Sequence, residues 1–342
     1  MFGCDRIAYV KDGLLSICIP TYNHAEPLRN CLEALIPQAK EHNTPIYVSD
    51  NASTDNTRDV FESFKKDYPF MYYKRNNKNL GVDQNMIKAA LMASTKYVWP
   101  FGARRIILPE TLNKIYDILE ETDLDLLVLN DQNSTFLVPE SKHYGSAQEV
   151  FRELNRNLTG LGFQIFPLDA WKSESLKKYA GTEWTVFGAS LEFLATKQKV
   201  NVYFIPEPVS TSSGISHWIP RCFQIWTNWK KTLKMLPEVY SDTDKEFVLR
   251  KSVNYFFGGP NFDLINLRTR NIYNAKIFRD YRDDLTHYGN YSPNIAYVIS
   301  RLPTLPLKLY FKIYDAARDV ARLFIHQKKA LNPTRRQAIP YS

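Results

Sequence analysis

Residues 14–23, Leu14-Leu15-Ser16-Ile17-Cys18-Ile19-Pro20-Thr21-Tyr22-Asn23, pass from an apolar run into a hydroxyl, a ring and an amide. A short apolar run bounded by turn signals reads as a buried strand over 14–19, with Pro20-Thr21-Tyr22-Asn23 as the loop that leaves it. The same pattern recurs along the chain, so strands are expected over 46–49, 70–73, 97–101, 124–129 and 202–205.

Helical spacing fills the gaps. Leu28, Leu32, Leu35 and Ala39 form one stripe; Val60, Phe61 and Phe64 a second; Met86, Ile87, Ala90 and Leu91 a third; Leu112, Ile115 and Leu119 a fourth. A chain that alternates β-α-β-α is expected to build an α/β domain, a mainly parallel sheet with helices on both faces. Ligands of such sheets bind beyond the carboxyl ends of the strands, which makes the residues after each strand the candidates for chemistry. After the second strand comes Asp50-Asn51-Ala52-Ser53-Thr54-Asp55-Asn56-Thr57. A carboxylate at that edge can accept hydrogen bonds from a base N–H or a ribose hydroxyl, while Ser53, Thr54, Asp55 and Asn56 equally suit helix capping.

Taken in order, Ser16 to Asn23, Val48 to Thr57 and Asn79-Leu80-Gly81 resemble the family 2 glycosyltransferases of GT-A fold, closely over 14–130 and more loosely to about 215. Bacterial O-antigen and capsule sugar transferases are the most similar in style, which implies polysaccharide biosynthesis at the cell envelope. The resemblance implies a nucleotide-sugar donor of UDP, dTDP, GDP or CMP type and a glycan or polyprenyl-linked saccharide acceptor. It puts Thr21, Tyr22, Asp50 and Asn51 around the nucleotide, with Asn79, Gly81 and Asn85 in the next loop beside the donor.

The chain departs from the family where the metal site belongs. The family pattern is roughly Gly-Asp-Asp-Asp, apolar residues and a Pro; here Gly102-Ala103-Arg104-Arg105-Ile106-Ile107-Leu108-Pro109 stands in its place. A hard divalent cation such as Mn²⁺ or Mg²⁺, usual in the family, needs oxygen ligands that Ala and Arg lack, so no metal ligand is assigned. Guanidinium groups bind phosphate in bidentate fashion, which makes Arg104 and Arg105 candidates for a metal-free contact to the diphosphate; the alternative is an impaired or inactive transferase scaffold. Asp83 and Asp131 are the nearest acids for a rescued metal site, although solvated or capping roles are commoner for such acids.

An inverting transfer needs a carboxylate to take the acceptor's proton. By resemblance Glu183, in Gly181-Thr182-Glu183-Trp184, stands where the family carries that acid; the competing reading is a helix-start glutamate favoured by the dipole. Trp184 beside it suits stacking on an acceptor sugar or packing in the core. His217, after the last strand, is read as a surface or phosphate-contacting histidine.

Composition sets the remaining bounds. At 342 residues with 44% hydrophobic, 14% aromatic and 23% charged residues, the chain is expected to fold as a globular protein with a substantial core. No apolar run reaches about eighteen residues, which argues against a membrane span. Asp5, Lys11 and Asp12 argue against a secretory signal. Cys4, Cys18, Cys31 and Cys222 form no C-x-x-C pair, as expected of reduced thiols in a cytoplasmic setting. The net charge of +8 is concentrated at the end, where eight Lys and Arg from Lys308 to Arg336 face only Asp315 and Asp319. Leu309, Ile313, Ala316, Val320 and Phe324 form an apolar stripe there, so residues 308–336 suit an anionic membrane at its inner face, or packing on the catalytic domain. Nucleic-acid binding is not expected, since no recognised motif is present and the rest of the chain is nearly neutral.

Three segments follow: 1–130, the nucleotide-sugar-binding half; 131–215, the acceptor-binding half; and 216–342, a helical C-terminal extension with the basic tail. The expected function is sugar transfer, against a non-catalytic sugar-nucleotide or glycan binder on the same scaffold, or a peripheral membrane protein whose tail is the working part.

Overall fold

The computed structural model describes residues 13–132, 140–172, 174–212, 219–253, 256, 264–289 and 291–309. The chain forms two compact units that divide between Leu249 and Arg250.

In the first unit, β1 (Leu15–Thr21), β2 (Ile46–Asp50), β3 (Met71–Arg75), β4 (Tyr97–Pro100), β5 (Arg105–Ile107), β6 (Leu126–Asp131), β7 (Lys142–Tyr144), β8 (Gln164–Pro167) and β9 (Val202–Ser212) build one nine-stranded sheet. Its order is β3-β2-β1-β4-β8-β6-β9-β5, with β7 beside β9. The pairs β1–β2, β2–β3, β1–β4 and β6–β9 are parallel, whereas β8, β5 and β7 run antiparallel to their neighbours. The sheet is thus mostly parallel, as expected. β2, β4 and β6 are buried along their whole length, which is why they read as continuous apolar runs rather than alternating ones.

Helices α1 (Ala25–His42), α2 (Thr57–Lys65), α3 (Val82–Ala90) and α4 (Thr111–Glu121) connect the first strands. The expected stripe Leu28, Leu32, Leu35 and Ala39 is buried with Val60, Phe61, Leu112, Ile115 and Leu119 against Leu15, Ile17, Ile19, Ile46 and Val48. Each such side chain contributes about 1.5–3 kcal/mol on full burial. Successive strand residues face opposite ways, and Ser49, next to Val48, donates to Asn85 of α3 at 2.7 Å. That face belongs to α3. Past β7 come α5 (Ala147–Leu154), α6 (Leu168–Trp171), α7 (Ser175–Tyr179), α8 (Thr185–Ala195) and α9 (Cys222–Met235). Expected in the C-terminal extension, α9 instead packs in the first unit, with Trp229 against Trp184 and Phe187 at ring distances of 4.9 and 4.6 Å. The compact unit therefore runs past residue 215 because the indole faces of α9 complete its core.

Cys18, Cys31 and Cys222 are free and buried, and burial pushes the Cys31 thiol up to about 12. No helix among the described residues is long and apolar enough to cross a membrane.

The second unit is helical. Its Leu264–Thr269, Ala275–Asp283 and Pro293–Arg301 helices enclose Leu267, Tyr273, Leu285 and Ala296, with the Tyr273 hydroxyl donating to the Ala296 carbonyl at 2.9 Å. Leu305 and Leu309 are 78% and 60% exposed. The basic stripe beyond Leu309 lies outside the described residues, as does His217.

Candidate active site

Three strand ends form one row. In the parallel register Thr21 pairs with Asp50, and Asp50 pairs with Arg75. Asp50 is 1% exposed, so its carboxylate needs partners to offset desolvation. Oδ1 accepts from the Ser53 N–H at 2.9 Å, while Oδ2 accepts from the Tyr73 hydroxyl at 2.6 Å and lies 3.3 Å from Arg75 Nε. Burial, then the adjacent Asp50, pushes the Tyr73 hydroxyl well above the usual tyrosine range, keeping it a donor. Thr21 is 2% exposed, and its Oγ1 is buried with no hydrogen-bond partner among the described residues. Buried polar atoms are seldom left so. The Tyr22 ring, 41% exposed, stands beside it. Tyr73 and Arg75 were missed in the sequence, yet the strand-end rule, applied to β3, would have found Arg75.

A lattice of amides braces this edge. Asn51 Nδ2 donates to Asn79 Oδ1 at 2.8 Å and to the Gly81 carbonyl at 3.2 Å, and its Oδ1 accepts from the Leu80 N–H at 2.9 Å. Asn85 accepts from Ser49 and from Asn76 at 2.9 Å and donates to the Thr21 and Ser49 carbonyls. Asn51 and Asn85 are buried; Asn79 and Gly81 are exposed at the rim. Gly81 has φ of 84°, which suits glycine. Of the capping candidates, Ser53 accepts from the Asn23 N–H at 2.9 Å, and the Thr54 N–H donates to Asn23 Oδ1 at 2.8 Å, so the loops after β1 and β2 are tied together. Asp55 accepts from the Ala25 and Thr57 N–H groups, capping as well as bridging.

The triplet follows β4, the strand beside β1. Ala103 is buried in the core. Arg105 opens β5, at the far edge of the sheet from β3. Its Nη1 donates to Asp131 at 2.6 Å and to Ser210 Oγ at 3.0 Å, its Nε to the Leu161 carbonyl, and its guanidinium lies 4.2 Å from the Phe163 ring centre. Burial lowers the Arg105 pKa and the adjacent Asp131 raises it, with burial the larger influence. Arg104 is half-buried. A divalent cation does not fit these residues: one is a buried methyl group, and the carboxylate that meets Arg105 is already paired with its guanidinium. No three His, Cys, Asp or Glu among the described residues are grouped to hold a metal ion.

Glu183 sits before α8 in a loop with two left-handed residues, Gly181 at φ 84° and Glu183 itself at 67°. Its carboxylate pairs with Arg221. Trp184 donates from its ring nitrogen to the Ile225 carbonyl at 3.4 Å and meets Trp229 edge-on, so its ring is engaged with α9. Asp83 meets the Glu183 loop, with Oδ2 accepting from the Gly181 and Glu183 N–H groups at 2.9 and 3.1 Å. The structure thus gathers Thr21, Asp50, Asn51, Asn79, Gly81 and Asn85 into one bonded cluster, ties the Glu183 loop to α3 through Asp83, and pairs Arg105 with Asp131.

Residues 16–169 match the sequence family described as Glycosyl transferase family 2. The abequosyltransferase RfbV of Salmonella typhimurium is 30% identical over 154 residues, 41% of this chain and 46% of that protein, so the match spans about half of the relative's length. An uncharacterized glycosyltransferase, MJ1057 of Methanocaldococcus jannaschii, is 25% identical over 245 residues, covering 66% of this chain and 83% of that one. Among solved structures, S. aureus TarS 1–349 in complex with UDP superposes with a TM-score of 0.54 at 14% identity, over 83% of this chain and 89% of that one. The mannosyltransferase PcManGT from Pyrobaculum calidifontis, in complex with GDP-Man and Mn²⁺, gives 0.51 at 11% identity over 86% and 88%. At such identities these likenesses establish the fold.

Proposed function

We propose, from the premise that residues 16–169 are a family 2 glycosyltransferase domain on a GT-A fold, that the protein moves a sugar from a nucleotide-sugar donor to a glycan or polyprenyl-linked saccharide, with inversion. The observation that carries the donor site is the partnerless Thr21 hydroxyl, buried beside Asp50 in a row that ends at Arg75. A buried hydroxyl without a partner costs stability, and a nucleoside bonded at this edge would satisfy it. Tyr22 on the rim offers its ring to the base. The name of RfbV, an abequosyltransferase, supports a sugar of polysaccharide assembly as the transferred group.

In the reaction the acceptor oxygen attacks the anomeric carbon, its proton passes to the Glu183 carboxylate, and the bond from that carbon to the diphosphate breaks with its electron pair leaving on the nucleoside diphosphate. Arg104 is the proposed contact to that diphosphate; Arg105 acts behind it, bound to Asp131. The absence of carboxylates in the triplet also favours a second reading, a scaffold that binds donor without turnover. A thermal-shift panel of UDP-, GDP-, CMP- and dTDP-sugars, followed by transfer assays with the stabilising donor, tests both, since a ligand that binds only the native state raises its stability. Stabilisation with transfer upholds the proposal; stabilisation without transfer across a broad acceptor panel favours the scaffold; no stabilisation by any donor overturns both.

A further inference from the structure

We infer that Asp83 is a positioning residue for transfer: its carboxylate fixes the backbone that presents Glu183 by tying that loop to the first turn of α3. The inference rests on the reading of Glu183 as the base.

Asp83 lies in the first turn of α3 and is 6% exposed. An acid there ordinarily serves the free N–H groups of its own helix. Asp83 instead turns outward across the fold, and one oxygen accepts two N–H groups, those of Gly181 and Glu183, which lie 98 and 100 positions along the chain. Burial raises the pKa of this carboxyl, and the two N–H groups oppose that rise by favouring the charged form.

The loop it holds is one that needs holding. Glu183 keeps a left-handed φ without being glycine, a conformation that persists only where surrounding contacts over-determine it. Asp83 supplies two of those contacts. Thr182 supplies others, donating from its backbone and hydroxyl to the Tyr179 carbonyl and accepting from the Trp184 N–H at 3.1 Å. Arg221 takes the far end of the Glu183 side chain. Backbone and carboxylate of Glu183 are therefore held separately, by α3 and by the turn before α9.

The place of this tie follows from spacing. Gly81, whose carbonyl accepts from Asn51, is the residue that caps α3. Asp83 stands two residues further on. The Glu183 loop therefore hangs from the first turn of the helix that Gly81 caps, and its position is set by that turn.

Asp83→Ala tests this through kcat and donor affinity measured separately. The expected result is a fall in kcat of about 10- to 100-fold with donor Kd within about twofold of the parent, since a displaced base impairs only the chemical step. Asp83→Asn retains an acceptor oxygen and should recover most of kcat. In a Glu183→Gln background, Asp83→Ala should add less than about twofold, because residues acting as a unit are not additive. Equal losses in both backgrounds, or a donor Kd that rises as kcat falls, overturn the inference and assign Asp83 to general structure. Full transfer by Glu183→Gln alone, or no transfer by the parent, overturns instead the reading on which the inference stands. Should Asp83→Ala not fold, Asp83→Glu carries the test: one added methylene keeps the charge and shifts the loop, so an unchanged kcat overturns the inference.

Discussion

Arg105 and Asp131 form a buried ion pair, 2.6 Å from nitrogen to oxygen, with side chains only 13% and 5% exposed. It follows that the Asp131 carboxylate is already matched by a cation from the triplet itself. Nucleotide-sugar binding is therefore expected to change little on adding Mn²⁺ or Mg²⁺, as read by calorimetry with and without chelator. Replacing Ala103, Arg104 and Arg105 together by Asp should create a metal response, because it supplies oxygen ligands and releases Asp131. A strong metal dependence in the parent would refute this account.

Breaking the pair from one side has a separate consequence. Arg105→Ala breaks a buried ion pair by removing one partner and leaves the Asp131 charge without its guanidinium, which typically costs about 3–5 kcal/mol. Chemical denaturation should show a loss of that order, and a change below about 1 kcal/mol would mean that water reaches Asp131.

The donor row predicts opposite effects on affinity and stability. Thr21→Val keeps the shape and removes a hydroxyl that has no protein partner, so the fold should be unharmed while donor binding weakens by about 0.5–1.5 kcal/mol. Asp50→Ala should cost about 1.5–3 kcal/mol of donor affinity, as for hydrogen bonds to a charged group. Calorimetry on folded variants decides; an unchanged Kd for both would remove this row from the donor site.

Glu183→Gln keeps shape and removes the base. Transfer should fall by about 10²- to 10⁴-fold with donor affinity nearly constant. Retained transfer would assign the proton to another group.

The basic tail is tested by truncation after Pro306. Binding to anionic vesicles should drop, more so at low salt, since the attraction is screened over about 8–10 Å at physiological ionic strength. Equal binding by both forms would favour packing of the tail on the protein.

The buried strands were legible because parallel strands covered on both faces leave unbroken apolar runs, as β1, β2, β4 and β6 do. β5, β7 and β8 span three, three and four residues and carry Arg, Lys, His and Gln, too short and mixed for periodicity to register. The site divides along the same line. Thr21 and Asp50 were found on the loops after two expected strands, whereas the strand expected over 70–73 was followed no further, although β3 runs on through Lys74 to Arg75. The destinations of Arg105 and Asp83 were hidden for a different reason. Their partners lie 26 to 105 positions away, and no local pattern encodes which of many carboxylates or amides a long-range contact will meet.

β3 is also the outer strand at one end of the sheet. An outer strand offers unpaired backbone groups to any neighbouring chain, and charge is a common guard against such edge-to-edge joining. Here Lys65 donates to the Pro69 and Met71 carbonyls, and Lys74 and Arg75 are exposed at the strand's end. Arg75 thus has two duties, closing the row at Asp50 and keeping the sheet from being extended by another molecule. A neutral residue in its place would be expected to bring self-association together with loss of donor binding, so light scattering belongs beside any affinity measurement on that variant.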